Sequence, residues 1–151
     1  MTATLRPATH EDAQLLWEWA NDPVTRQNSL DSDEIPWESH LEWLQALLAN
    51  PAQALFVVEW LGEDIGSCRF DTTSDGAIVS IGLASTHRGL GLSRPVLTCA
   101  IDHFWLTKGR HPIIAYIRPE NTPSLRLFTA CGFKPVDSDL SHASRFILMP
   151  D

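Results

Sequence analysis

Apolar residues recur along this chain with two different periods, and the periods alternate. Ala13, Leu16, Trp17 and Ala20 follow one another at helical spacing, as do Trp37, Leu41, Leu44 and Leu48 further on. Thr9, three residues before Asp12, is placed to cap the first of these helices, and Asn21-Asp22-Pro23 stops it. A polar loop over 31–34 leads to Pro36 in the first turn of the second helix, which Asn50-Pro51 ends. A strand over 2–8 precedes both. Extended character returns at 54–61, turns at Gly62-Glu63-Asp64, and pairs back at 65–70 as a hairpin. A polar turn over 71–76 leads to a third such strand, 77–83. The segment 91–108 carries Leu97, Ile101, Phe104 and Trp105 on one helical face and closes at Gly109. A buried-type strand at 112–117 follows. A helix opened by Thr122-Pro123 and ended by Gly132 comes next, then closing strands at 133–136 and 144–149.

The resulting order is β-α-α-β-β-β-α-β-α-β-β over one domain, 1–151, with no internal repeat and no linker. Strands alternate with helices in the second half, so the mixed sheet needs at least one parallel crossover.

Composition narrows the class. The chain has 151 residues, 44% hydrophobic and 20% charged, enough for a folded core and unlike a disordered chain. The charge-free stretch 44–58 is interrupted by Asn50-Pro51 and is too short for a membrane span, and no apolar signal segment stands at the start. Three cysteines, Cys68, Cys99 and Cys131, form no C-x-x-C pair, which disfavours a disulfide framework or a thiolate metal site. Reduced cysteines suit the cytosol, and the expected compartment is cytoplasmic. A net charge of −8 argues against nucleic-acid binding by phosphate neutralisation. That charge is uneven. Residues 1–64 hold 12 acidic residues against two basic ones, Arg6 and Arg26, whereas 65–151 hold seven against nine. A polyanionic ligand is therefore expected on the second half.

The sharpest chemical feature is Arg88-Gly89-Leu90-Gly91-Leu92-Ser93-Arg94, between a strand and a helix. Small residues let a ligand approach the backbone, and the free N–H groups of a helix start suit a pyrophosphate. Arg88 and Arg94 add charge at its rim. A Gly-rich turn without a ligand satisfies the same spacing. A second segment, Asn121-Thr122-Pro123-Ser124 running to Phe128 and Gly132-Phe133, is an ordinary capped helix when taken alone.

Together, in this order, the two segments resemble the GNAT superfamily of acetyl-CoA-dependent N-acetyltransferases. That family's phosphate loop has Arg or Gln, two residues, Gly, one residue, then Gly or Ala; Arg88 and Gly91 match, and Ser93 is a small-residue departure. Asn121, Ser124, Phe128, Gly132 and Phe133 fit its later helix. The resemblance implies an α/β (α+β) fold: a mixed, mostly antiparallel sheet of six to seven strands, flanked by about four helices and splayed between 77–83 and 112–117. It implies acetyl-CoA as co-substrate and no metal. The pyrophosphate would rest on backbone N–H groups of Gly89, Gly91, Ser93 and Arg94, within a loop completed by Leu90 and Leu92. Ile81, Gly82 and Leu83 would flank the pantetheine arm, with an N–H near Leu83 facing the oxyanion. Asn121, Ser124 and Phe128 would line the far side of the coenzyme. The family often has a Tyr, a proton donor for the leaving thiolate, where this chain has Phe128. Tyr116 on the neighbouring strand is either the substitute donor or a core residue, with Ser124 and Cys131 as further candidate donors. A free thiol's pKa of about 8.5 also permits unassisted departure.

The run from Trp17 to Arg26, with Ser29, Ile35, His40 and Trp43, resembles the sugar-nucleotide N-acetyltransferases of pseudaminic-acid-type aminosugar pathways, although Ala20 stands where Arg is expected. Similar segments occur in GNAT enzymes that act on ribosomal-protein N-termini. On this reading Trp19, Asn21, Arg26 and His40 contact the acceptor, a small-molecule amine or nucleotide-sugar. For His40, a base role or a packed position stays open. Arg26 either meets a substrate phosphate or neutralises nearby acids. The tryptophans are core residues or a sugar platform. Against a nucleotide-sugar, an acidic N-terminal half would repel a diphosphate. Three functions follow: an amino-sugar N-acetyltransferase, a peptide N-terminal acetyltransferase, and a non-catalytic acyl-CoA-binding module. Homodimers are common in this superfamily, and no segment here specifies an interface.

Overall fold

The computed structural model describes residues 3–151. Its seven strands are β1 (Thr4–Pro7), β2 (Gln53–Trp60), β3 (Glu63–Thr73), β4 (Gly76–Leu83), β5 (Ile113–Ile117), β6 (Lys134–Val136) and β7 (Ser144–Leu148). They form one sheet in the order β1-β2-β3-β4-β5-β7-β6. Five α-helices accompany it: α1 (Ala13–Ala20), α2 (Pro23–Asn28), α3 (Trp37–Ala49), α4 (Ser93–Lys108) and α5 (Thr122–Ala130). The mixed, mostly antiparallel sheet implied by the sequence is the one observed. Thr2, placed in the first strand by the sequence pattern, lies outside the described residues.

Capping chemistry sets the helix starts. The Thr9 side chain accepts from the Glu11 amide, and Asp12 accepts from the Thr9 amide at 2.9 Å, forming the expected capping box ahead of α1. Helix α2 lies where the sequence pattern predicts only a stop at Asn21-Asp22-Pro23. The same residues are also a start. Asp22 accepts from the Val24 and Thr25 amides, both at 3.1 Å, and Pro23 fills the first helical turn. Pro36 is the N-cap of α3 rather than a member of its first turn. The β2–β3 hairpin turns at Leu61-Gly62, not at Gly62-Glu63-Asp64, for Trp60 already pairs with Glu63. Both turn residues have positive φ, 52° and 78°, which matches the strand twist at the expense of strain at Leu61.

All pairings are antiparallel except β4–β5, and that ladder covers only Ala77↔Ile113 and Ile78↔Ile114. Gly76, at φ 144°, makes the junction possible, since a Cβ there would stand 2.5 Å from the Pro112 carbonyl oxygen. Beyond Ile78 the two strands diverge, as the resemblance implied.

Strand alternation assigns the faces. Phe56, Cys68, Phe70, Val79 and Ala115 pack with Leu97, Ile101 and Phe104 of α4 and with Phe128 of α5. On the opposite face Leu55 and Val57 meet Leu16 of α1 and Leu44 and Leu47 of α3, the last two 1% and 2% exposed. Burying each such side chain is worth about 1.5–3 kcal/mol. By register, Ser67 and Arg69 of β3, Ser80 of β4, Tyr116 of β5 and Arg145 of β7 share this second face. The helices α1 and α3 cover only part of it. No helix of the described residues is long and apolar enough to cross a membrane.

Candidate active site

The β4–α4 connection carries the first half of the site. Gly89 and Gly91 sit at φ 75° and 74°, in the left-handed region that glycine enters without strain. A Cβ added at either would meet nothing within 4 Å, so the loop borders open space. Among the described residues, the six consecutive amides from Gly89 to Arg94 have no hydrogen-bond acceptor in the protein. Pro95 follows with no N–H to satisfy. The first turn of α4 holds no acidic residue and no side-chain cap, which leaves its positive dipole end uncompensated. Arg94 is exposed there. Arg88 is not a free cation. It donates to Asp22 Oδ2 at 2.9 Å and to Thr25 Oγ1 at 3.0 Å, tying the loop to the start of α2. Burial resists ionisation of Asp22, but the Thr25 amide, Arg88 and the Val24 amide outweigh it and hold its carboxyl below the usual range.

The second half is the gap between β4 and β5. The Ala77 amide donates across that gap to Pro112 at 2.8 Å, whereas the Ala84 amide donates the other way to Ile65, also at 2.8 Å. Alternation therefore aims the N–H groups of Ile81 and Leu83 into the gap, where the strands have separated and no ladder partner remains. Gly82 faces the α1–α3 side between them.

A cavity of about 790 Å³ joins this gap to the space beneath α1 and α2. It brings together Trp19, Arg26, His40, Ile81, Gly82, Leu83, Tyr116, Asn121, Ser124 and Phe128 of the sequence-derived candidates. Asn21 and Arg88 line a smaller neighbouring cavity of about 420 Å³, which Trp19 also borders.

Several acceptor-side candidates are engaged in holding the fold. Arg26 donates to the carbonyls of Ala20, Asp31 and Asp33 and to Ser29 Oγ, at 2.7–3.1 Å. Four of the five guanidinium donors are thereby used. Asn21 grips the Ile35 backbone at both ends, at 2.8 and 2.9 Å, and Trp17 donates to the same carbonyl at 2.8 Å. His40 is 2% exposed between Trp37 and Trp43, its Nε2 2.8 Å from the Ala13 carbonyl oxygen. Burial lowers its pKa more than that bond raises it, so the ring is neutral with the proton on Nε2.

Of the residues expected to line the coenzyme, Asn121 caps α5 by accepting from the Ser124 amide at 3.3 Å. The Ser124 hydroxyl makes no hydrogen bond among the described residues. Phe128 is 4% exposed and packs edge-on against Phe133 at 4.9 Å. Tyr116 donates its phenol proton to Asp139 at 2.7 Å, which, with burial, raises its pKa despite the nearby Arg145. Cys131 does not line the cavity.

Sequence reasoning missed Ser67, Arg69 and Ser80 on the cavity floor. A signal was present: polar residues at alternating positions of an otherwise apolar strand mark a face that meets water or a ligand.

Comparison with known proteins agrees with this geometry. The family described as acetyltransferase (GNAT) domain matches residues 3–134. An uncharacterized N-acetyltransferase of Bacillus licheniformis is 27% identical over 139 residues, 87% of this chain and 78% of that protein. A mycothiol acetyltransferase of Corynebacterium aurimucosum is 33% identical over 63 residues, covering 42% of this chain and only 20% of that protein. Among solved structures, spermidine N-acetyltransferase of Vibrio cholerae, in complex with CoA and spermine, superposes with a TM-score of 0.88. It is 19% identical and covers 98% of this chain and 95% of its own. Aminoglycoside acetyltransferase AAC(6')-Ib with coenzyme A gives 0.82 at 18% identity, over 98% and 95% of the two chains. The extended phosphate-type loop, the splayed strands and the family match over most of the sequence lead to one conclusion: the chain belongs to the GNAT acetyltransferase family, and is an acetyl-CoA-dependent acyltransferase.

Proposed function

We propose that this protein transfers acetyl from acetyl-CoA to the primary amine of a small acceptor, and that the acceptor is an amino-sugar carried on a nucleotide. The observation that carries the coenzyme half is the run of partnerless amides from Gly89 to Arg94, opening on free space at two positive-φ glycines. These groups and the α4 dipole fit a pyrophosphate; the N–H groups of Ile81 and Leu83 fit an extended amide-bearing arm. Bound acetyl-CoA supplies the electrophilic thioester. The Leu83 amide is oriented to donate to oxygen charge developing in the gap.

Neutral His40, with Nε2 bonded to Ala13, keeps Nδ1 as its acceptor nitrogen and takes a proton from the acceptor ammonium. Ser124, whose hydroxyl is free on the cavity wall, donates to the departing sulfur in place of the phenol that Phe128 lacks. Tyr116 is the weaker donor because Asp139 already holds its proton.

The acidic N-terminal half does not weigh against an anionic acceptor. Of its acids only Asp31 lines the larger cavity, Asp22 is paired with Arg88, and Asp12 with Arg6 at 2.8 Å. The spermine bound by the Vibrio structure is a polycation, and a single carboxylate suits that ligand poorly. Release of coenzyme A with a UDP-linked 4-amino-sugar, basic N-terminal peptides and polyamines tests the acceptor. Selective turnover of the sugar is expected, and turnover of peptides alone would replace it with the peptide reading. Acetyl-CoA binding without turnover of any amine would favour a binding module.

A further inference from the structure

We propose that Arg69 determines acceptor specificity by reading an anionic group, a carboxylate or a phosphate, on the molecule whose amine is acetylated. The proposal rests on the cavity being the acceptor site of a transferase.

The register places Arg69 directly opposite Ser80 and next in line on its face to Ser67, on the cavity floor. This is the face that carries apolar residues one strand away, at Leu55 and Val57. A guanidinium on such a surface costs desolvation unless its donors are matched. Only part of Arg69 is matched. Its Nε donates to Asp71 Oδ2 at 3.1 Å, and the other Asp71 oxygen is taken by Gln53 at 2.9 Å. Nη2 reaches Ser80 Oγ at 3.5 Å, the limit of a hydrogen bond, and Nη1 has no partner among the described residues. Asp71 stands outside the cavity lining. It thus anchors the Nε side and leaves the Nη1–Nη2 edge to the cavity, the edge that meets carboxylate or phosphate oxygens in pairs. Trp43 lies over the guanidinium at 5.6 Å and restrains its plane. The Ser67 and Ser80 hydroxyls add flexible donors beside it. The other cationic lining residue, Arg26, has its donors committed to its own loop. Arg69 is therefore the cation in this cavity with donors to offer.

Calorimetric titration with coenzyme A present, and steady-state coenzyme A release, compare three pairs of acceptors. These are an aminohexose phosphate against the free aminohexose, an α-amino acid against its amide, and a monoamine against a diamine. The expected result is tighter binding and lower KM, by about tenfold or more, for the anionic member of at least one of the first two pairs. Arg69→Gln removes that preference while the neutral acceptor and acetyl-CoA bind as before. Arg69→Lys restores phosphate better than carboxylate, since a point charge replaces the planar fork. A phosphate source and a carboxylate source are thereby separated. Melting temperatures of both variants guard against misfolding. Equal loss for charged and neutral acceptors in Arg69→Gln, or a wild-type preference for the diamine, overturns the proposal. Failure of the wild-type protein to bind acetyl-CoA sinks the underlying transferase reading, and with it the acceptor site on which this proposal rests; intact acetyl-CoA binding without an anionic preference overturns the proposal alone.

Discussion

The two halves of the candidate site offer a ligand different materials. Between β4 and α4 the groups on offer are backbone amides, left free because the helix start and two glycines give them no internal acceptor. Beneath α1 and α2 the groups are side chains, and much of their polar capacity is already spent: Arg26 on three carbonyls, Asn21 on Ile35, the His40 Nε2 on Ala13. A backbone site is built by withholding partners, and a side-chain site is built from what structural bonding leaves over. The first can be recognised from residue spacing. The second depends on contacts that join distant parts of the chain.

This contrast can be broken most sharply at Gly91. Gly91→Val forces a β-branched residue to φ 74° and places a side chain over the free amides. Acetyl-CoA affinity is expected to fall by about a hundredfold, read by calorimetry, while the α1–α3 core is untouched. Unchanged affinity would show that the loop backbone is not the cradle. Arg26→Ala should do the reverse: about 2 kcal/mol of stability lost by urea unfolding, with acetyl-CoA affinity held within about twofold. A purely kinetic defect with full stability would make Arg26 an acceptor contact after all. Arg94→Ala, at an exposed cation, should leave stability within about 0.5 kcal/mol and weaken acetyl-CoA by about threefold, more at low salt.

The smallest effect is in the pH profile. Burial holds the His40 pKa below its ordinary value of about 6.5, so the unfolded chain takes up a proton that the fold resists. Stability contributed by neutral His40 is complete above about pH 6.5 and declines as pH falls from there towards the folded value. Asp12 behaves on a lower range. Arg6 and the Thr9 amide depress its pKa against the opposing effect of burial, so its contribution is lost only below about pH 4. Thermal melts of His40→Gln between pH 7 and 3 should lack the first decline and keep the second, below about pH 4.

Much of the fold was legible in the sequence because periodicity and capping act locally. The Thr9–Asp12 box, the hairpin partners and the helix beginning after Gly91 follow from neighbours in the chain. Misreadings occurred where one short motif has two local meanings. Asn21-Asp22-Pro23 ends α1 and caps α2 with the same three residues. Leu61 takes a positive φ that its side chain disfavours, because the β2–β3 ladder imposes the turn. The open glycine loop from Arg88 to Arg94 was visible in the spacing, yet the engagement of Arg88 by Asp22 was not, for 66 residues separate them. Arg69 was overlooked because its significance depends on Ser80, Trp43 and Asp71 lying around it at once.

The sheet order also has a kinetic meaning. Strands β1 to β4 pair with neighbours in space that are antiparallel and, for β2 to β4, adjacent in sequence. That half can condense early, as local contacts close short loops. Strand β7 instead inserts between β5 and β6, both of which precede it. Until residues 144–148 emerge during synthesis, β5 is an open edge and β6 has no strand to join. The nascent chain therefore carries an exposed, apolar strand, Ile113–Ile117, through its latest stage of folding. A lesion in β7 would act first on solubility, by prolonging that exposure, before it reached the chemistry of the site.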